Sequence, residues 1–397
     1  MAESGASRPT VWSGDSVFAA TFGSTTQELL ALREWLQAEG CQAAAMESTG
    51  PYWKPIWNVL EDEGIALVLA NPQHMKAVPG RKSDVKDAEW IADLLRHGLI
   101  KASYVPSREQ RELRELVRYR RSIIEERARE VSRLQKVLEG ANIKLGSVLS
   151  DVTGKTGTAI LRGLAQGEED PGALADRTVR HLKASREELI QSLTGYMQPH
   201  QRYMLQRELD HIRYLDGVIA DLDRQIAERM KPAEKVSERL QTIPGIGPRT
   251  AQVILAEAST DASHFPSADH FAALAGLAPG QNESAGKRKP ARTRRGNRSL
   301  RSAMVEAARA ASRTKDTYLA AQHACLSKRL KGKKATVAVA HSIIVMVYHI
   351  LASPTEIYRD LGPDHFFRRD TDALKRRALA QLRNLGYAVH LTPVSAA

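Results

Sequence analysis

The chain has 397 residues, a formal net charge of +12, 42% hydrophobic residues and two cysteines. That length calls for two or three domains and a full-sized core in at least one. The widely separated Cys41 and Cys325 exclude both a disulfide framework and a zinc-ligand spacing. The basic excess points to a polyanion partner, nucleic acid being the commonest. Reduced thiols and a start, MAESGASRPTVW, without a basic-then-apolar signal lead us to expect a cytoplasmic protein.

The first elements alternate. Ser16 to Phe22 reads as a strand, and Thr26 to Glu39 as a helix opened by Ser24-Thr25-Thr26. Gln42 to Met46 is a short apolar strand ending at Glu47, Tyr52 to Glu63 a second helix, and Ile65 to Ala70 a purely apolar strand before Asn71-Pro72. This rhythm argues an α/β layer over residues 1–104.

From Glu109 the period changes. Leu113, Leu116, Ile124, Val131, Leu134 and Leu138 follow three- and four-residue steps, as do Leu205, Leu209, Ile212, Ile219, Leu222, Ile226 and Met230. Two long helices, about 109–139 and 201–230, are expected within a coiled-coil segment spanning 105–232, joined through a loop at Gly167 to Pro171. Their stripes are expected to pack together and to build part of an oligomer interface, Leu134 and Leu138 included. Arg120 and Arg127 interrupt the first stripe and need either partners or a nucleic-acid backbone to face.

Residues 233–350 read as mainly helical with basic loops, and 351–397 as a tail of Arg-rich and apolar pieces. Leu240 to Ala251 places apolar residues on both sides of Pro244-Gly245-Ile246-Gly247, the pattern of a helix-hairpin-helix. In that motif glycines such as Gly245 and Gly247 let backbone N–H groups approach a phosphate. Ile243 and Ile246 would serve as core there. Ala335 to Leu351 is apolar, but its length and His341 and His349 favour a buried helix over a membrane span.

Two constellations carry chemistry. Between Lys287 and Arg301 stand eight basic residues and no acidic one: Lys287, Arg288, Lys289, Arg292, Arg294, Arg295, Arg298 and Arg301. Ser284 and Gly286 precede them, and a serine beside guanidinium groups is well set to receive a phosphate. The second is acidic. Glu47 closes an α/β strand, where such folds place ligands, and Asp84 and Asp87 share one face of a helix start. Three converging carboxylates repel unless a hard cation neutralises them, which points to Mg²⁺; salt bridges to Arg81, Lys82 and Lys86 are the other reading.

Several fragments stand in the order of a known family. They are Met46-Glu47-Ser48-Thr49-Gly50, Val78-Pro79-Gly80-Arg81-Lys82-Ser83-Asp84-Val85-Lys86-Asp87-Ala88-Glu89-Trp90, Ile243-Pro244-Gly245-Ile246-Gly247, Gly276-Leu277-Ala278-Pro279 and Gly296-Asn297-Arg298-Ser299-Leu300-Arg301. On these the chain resembles a transposase of the IS110 family (the IS110/IS116/IS902 group), over nearly its whole length. The resemblance implies a fold of α/β and α parts: a RuvC-like, RNase H-type N-terminal domain, a coiled-coil helical segment and a mainly helical C-terminal transposase domain. It implies an Asp-Glu-Asp-Asp metal site, of which Glu47, Asp84 and Asp87 match the second to fourth positions. It also implies that Ser284 is the serine that attacks DNA to form a 5′-phosphoserine. DNA, a structured non-coding guide RNA and further copies of the chain (a dimer or tetramer) are the implied partners, with no membrane. The resemblance departs at the start. No strand with a Gly-Ile-Asp-type motif precedes Thr21-Phe22-Gly23, and Asp15 does not stand in that context, so the first strand and first acidic position are expected to be missing.

The expected function is therefore transposition or recombination of an insertion sequence by Mg²⁺-assisted serine attack. Arg288, Arg292 and Arg295 are expected to hold phosphate oxygens, with Gly245, Gly247, Lys287, Arg294 and Arg298 also on nucleic acid. Two other readings stay open: a metal-only nuclease of the Holliday-junction-resolving type that uses water as nucleophile, and an inactive, truncated nucleic-acid-binding relic.

Overall fold

The computed structural model describes residues 9–13, 16–48, 50–70, 84–179, 182–280, 283–284, 286–288, 293, 295–368 and 371–390. They form two compact units, Met1–Pro106 and Ser107–Ala397.

In the first unit β1 (Thr10–Ser13) and β2 (Ser16–Ala19) make an antiparallel hairpin, with Thr10 opposite Ala19. The sequence reading assigns no strand before Ser16 and runs the next one on to Phe22. The observed strand stops at Ala19, although Ala20 N–H still donates to Pro9 O at 3.3 Å and Phe22 lies in a bridge of its own. Helix α1 (Thr26–Ala38) is capped by the Thr25 hydroxyl, which accepts from Glu28 N. Then come β3 (Ala43–Glu47), α2 (Trp53–Leu60) and β4 (Ala66–Ala70), with β3 and β4 parallel and Glu47 opposite Ala70. Parallel strands need such a crossover helix. Helix α3 (Asp84–Arg96) packs against β1 and β3. Val11, Leu29, Leu32, Leu36, Leu60 and Ile65 form the core.

Among the described residues the two strand pairs do not join into one sheet. Between them lies a cavity of about 650 Å³ lined by β1, β3 and the inward faces of α1, α2 and α3.

The second unit is built on α4 (Arg108–Gly140). After it come α5 (Leu145–Val148), α6 (Lys155–Gln166), α7 (Pro171–Asp176), α8 (Arg186–Leu193) and α9 (Pro199–Met230). Helices α4 and α9 lie antiparallel along their length, linked by Arg229–Glu112 at one end and Arg127–Asp216 nearer the other. Four helices thus stand between α4 and α9, and the loop expected at Gly167 to Pro171 is the turn between α6 and α7.

Those helices change the meaning of the apolar stripe. Leu134 and Leu138 are buried beneath Leu145, Ile160, Leu161, Leu205 and Leu209 of the same chain, so they cannot serve an oligomer interface as expected. Arg120 does not face nucleic acid. It is 2% exposed and donates at 2.7 Å to both Asp223 Oδ1 and Gln252 Oε1. Arg127 is likewise held by Asp216.

Glu130 of α4 meets Glu208 and His211 of α9. Burial opposes ionisation of Glu130, but the hydrogen bond with Glu208 and the charges of Arg133 and His211 outweigh it and lower its pKa. Burial, then the hydrogen bond with Glu130 and its charge, push Glu208 up to about 7. Glu208 is therefore the member of the pair that keeps its proton to higher pH. Because the folded-state pKa of Glu208 is raised, its stabilisation is complete in acid and is lost as pH rises from the ordinary carboxylate range through about 7. Glu208→Gln keeps a donor without the charge. Thermal melts should show it more stable than the parent at pH 8, by about 2 °C or more, and no more stable at pH 5. Equal offsets at both pH values would contradict the raised pKa of Glu208.

A 3₁₀ turn (Lys231–Ala233) ends α9 at Pro232, where the sequence placed the break. Next come α10 (Glu234–Gln241), α11 (Pro248–Ala258), α12 (Ala268–Leu274), β5 (Glu283–Ser284), β6 (Lys287–Arg288) and α13 (Arg298–Ala311). The chain ends in α14 (Tyr318–Ser327), α15 (Gly332–Ala352), α16 (His365–Arg368) and α17 (Thr371–Asn384). Helix α15 is long and apolar enough to cross a membrane. In this fold Ala335, Val339, Ala340, Ile343, Ile344, Val347 and Ile350 are buried in the core with α10 to α14, as expected of a core helix. Val117 of α4 and Ile226 of α9 belong to the same core.

Candidate catalytic residues and nucleic-acid interface

In the first unit, Glu47 is the exposed last residue of β3, at the edge where β4 also ends. The next amide, Ser48 N–H, donates to Ala70 O at 2.9 Å, so the backbone is held up to the point where the strand stops. Asp84 and Asp87 lie in the first turn of α3, the helix that packs on β3. Their side chains lie outside the described residues. Among those that are described, no group of three or more His, Cys, Asp or Glu is arranged to hold a metal. The donor chemistry of the three acids is all oxygen, and with Glu47 exposed at a strand end it suits a hard divalent cation and no soft one.

In the second unit, β5 and β6 form a minimal hairpin that turns at Gly286 (φ +70°) and sets Ser284 opposite Lys287 in register. Lys287, Arg295 and Arg298 are exposed. The side chain of Arg288, like Arg292 and Arg294, lies outside the described residues.

The two limbs of this basic segment are pinned together at its base. A Cβ on Gly296 would lie 2.2 Å from Gly276 N, so only glycine permits this approach. Asn297 N–H donates to Leu274 O at 2.7 Å. Arg301 Nη1 donates to Gly276 O at 2.6 Å and to Thr293 Oγ1 at 2.9 Å, so this member of the basic run has a structural task. A loop whose ends are held this closely is a usual carrier of function.

The glycine hairpin lies between α10 and α11, as the helix-hairpin-helix pattern suggests. At Gly245 (φ +90°) a Cβ would lie 2.2 Å from Ala307 O, so this glycine is required for packing on α13. Gly247 caps α11 and has open space where a Cβ would be. Pro248 at the first helical position removes one donor, leaving the amides of the next two residues to face outward. Arg249 reaches back to Asp223 at 2.6 Å. Ile243 and Ile246 are core, as expected.

Sequence reasoning overlooked Glu257. Its side chain is fully buried at the end of α11, where Arg118 grips it with two hydrogen bonds of 2.7 and 2.8 Å. Arg114 approaches at 3.2 Å and Asn297 Nδ2 donates to it at 2.6 Å. The available signal was a lone acid inside the apolar run Val253 to Ala258.

Residues 12–143 match a family model described as a transposase, of the DEDD type of IS110 elements, and residues 237–324 match that of the transposase IS116/IS110/IS902 family. The chain belongs to the IS110 family of transposases. It is similar to a probable family 20 transposase of Pseudomonas aeruginosa, with 28% identity over 68% of this chain and 71% of that protein. It is also similar to the transposase for insertion sequence element IS1328 of Yersinia enterocolitica, with 26% identity over 62% of this chain and 64% of that protein. A pilin gene-inverting protein of Moraxella bovis is 41% identical over a shorter stretch, 19% of this chain and 24% of that protein. The first IS110 match contains Glu47, Asp84 and Asp87, and the second contains the glycine hairpin, the basic loop and the whole of α13.

Proposed function

We propose that this IS110-family chain is a DNA recombinase that moves an insertion element through a serine–DNA ester. The observation that carries the reading is the serine hairpin, which sets Ser284 across from Lys287 at the head of a stretch with eight basic residues and no acid. Ser284 Oγ attacks a backbone phosphorus, a P–Oγ bond forms as the P–O3′ bond breaks, and the departing 3′-oxygen takes a proton. Later the 3′-hydroxyl of the exchanged strand attacks the same phosphorus, re-forming P–O3′ and releasing Ser284. Keeping the bond energy in the ester removes the need for ATP. Arg288, Arg292 and Arg295 hold phosphate oxygens, which bidentate guanidinium groups do well; Lys287, Arg294 and Arg298 and the amides around Gly247 bind the strand nearby.

Glu47, Asp84 and Asp87 would hold Mg²⁺, whose chemistry when bound is Lewis-acid stabilisation of the charge on the phosphoryl oxygens. A structured RNA and a second copy of the chain complete the reading, in which the acids of one copy serve the serine of another. The gene inversion in the name of the Moraxella relative fits strand exchange of this kind.

Labelled DNA on a denaturing gel tests the proposal. The serine route leaves label attached to protein, whereas a metal-only nuclease leaves free ends and a binding relic leaves intact DNA. Glu47→Gln, Asp84→Asn and Asp87→Asn should each lower cleavage by at least about a hundred-fold while DNA still binds. Cleavage at the parent rate in all three, or no dependence on a divalent ion, would remove the metal from the proposal.

A further inference from the structure

We infer that Glu257 is the positioning residue of the basic loop, acting through Asn297 to set where the serine hairpin stands. This rests on the reading of Ser284 as nucleophile only for its consequence in the reaction; the holding of the loop stands on geometry alone.

A carboxylate with a fully buried side chain is costly unless every lone pair is used. At Glu257 they are used from two directions. Arg118 and Arg114, one turn apart on α4, neutralise it from one side. Asn297, the residue at which the basic segment ends and α13 begins, donates from the other at 2.6 Å.

Asn297 is fully occupied by this arrangement. Its Oδ1 accepts from Leu300 N at 3.0 Å and caps α13, its own N–H goes to Leu274 O, and its Nδ2 goes to Glu257. Asn297 therefore joins three things at one point: its side-chain amide holds the start of α13 and Glu257 of α11, which α4 grips in turn, and its backbone N–H holds the end of α12. Twelve residues separate Ser284 from that point, and the other limb returns to it through the Gly276–Gly296 contact and Arg301. A hairpin as short as β5–β6 has no core of its own, so its position depends on its base. Glu257 is the only charged group among the described residues that is both buried and bonded to that base.

The decisive variants exchange the acid and the amide. Asn297→Asp keeps the Oδ1 cap but sets a second carboxylate against Glu257. Glu257→Gln keeps the size but removes the charge. The double variant Glu257→Gln/Asn297→Asp restores one donor facing one acid with the chemistry reversed. Each full-length protein is treated briefly with trypsin under native conditions, and nicking between Lys287 and Arg298 is timed against the thermal midpoint.

Asn297→Asp should be nicked about ten-fold faster, with a midpoint close to the parent's, and the double variant should recover most of the loss. At saturating DNA the rate of adduct formation should fall by about the same factor in the single variant and return in the double, with the DNA Kd unchanged. Nicking of Asn297→Asp at the parent rate would overturn the inference, as would a double variant no better than that single one. A thermal midpoint that falls in step with nicking would also overturn it, because Glu257 would then serve the fold at large. If the parent forms no adduct, the serine reading fails, while the trypsin comparison still decides whether Glu257 holds the loop.

Discussion

Ser284→Ala should abolish the covalent protein–DNA adduct and strand exchange, a loss on the order of a thousand-fold or more, while DNA binding stays within about two-fold. The hydroxyl is the group proposed to form the ester, so nothing replaces it when it is removed. Binding is a different matter, because the phosphate contacts proposed for Lys287 and the arginines that follow would be spread over many side chains. The structure offers no reason for the substitution to disturb the fold. The hairpin is held by the register of Ser284 with Lys287 and by its base at Gly296 and Asn297. Labelled DNA run on a denaturing gel, with a filter-binding titration beside it, separates the two effects. An adduct of parent yield in the alanine variant would remove Ser284 as nucleophile.

The second large effect concerns α4. Leu134→Asp combined with Leu138→Asp should unfold the helical unit rather than release a folded protomer from an oligomer. Leu134 is 0% exposed and Leu138 2%, and both lie in the core shared with α5, α6 and α9. Truncating one such leucine to alanine costs about 2–5 kcal/mol, and an unpaired carboxyl placed in the same space costs several kcal/mol more. Two together approach the roughly 5–15 kcal/mol that hold an ordinary domain folded. Circular dichroism and sedimentation of the double variant should therefore show lost helicity or aggregation. A well-folded, smaller species with parent helicity would restore the interface role to these leucines.

Leu134, Leu138, Leu205 and Leu209 announce buried helical faces because their spacing keeps them on one side. Periodicity says that a face is covered without saying by what. Only the folded chain shows that α5 to α8 return over it and that α9 lies alongside. Arg120 is a similar case. Its interruption of the stripe was legible, but its partners Asp223 and Gln252 lie about a hundred residues away, beyond any local rule. Hairpin β1–β2 was half missed because four-residue strands leave too little alternation to read.

The same division runs through the site. Glu47 at a strand end, the acids at the start of α3, and the serine ahead of a basic run were legible from local spacing and chemistry. So was the family, through motifs whose order survives without knowledge of contacts. Gly245 shows the limit of such reading: the pattern suggested backbone room for a phosphate, whereas the turn is pressed against Ala307 of α13.

The sequence by itself determined the long helices, the strands closing at Glu47 and Ala70, which faces of these are buried, and which residue types could work on a phosphodiester. These follow from side-chain period and charge, which are local properties of the chain. The tertiary structure alone decided what covers α4, why Gly245 and Gly296 have to be glycine, and that Glu257, Arg118 and Asn297 meet at the base of the serine loop. Those outcomes depend on contacts between residues far apart in sequence, where close packing and the cost of an unpaired buried charge select one arrangement among many that share the same pattern.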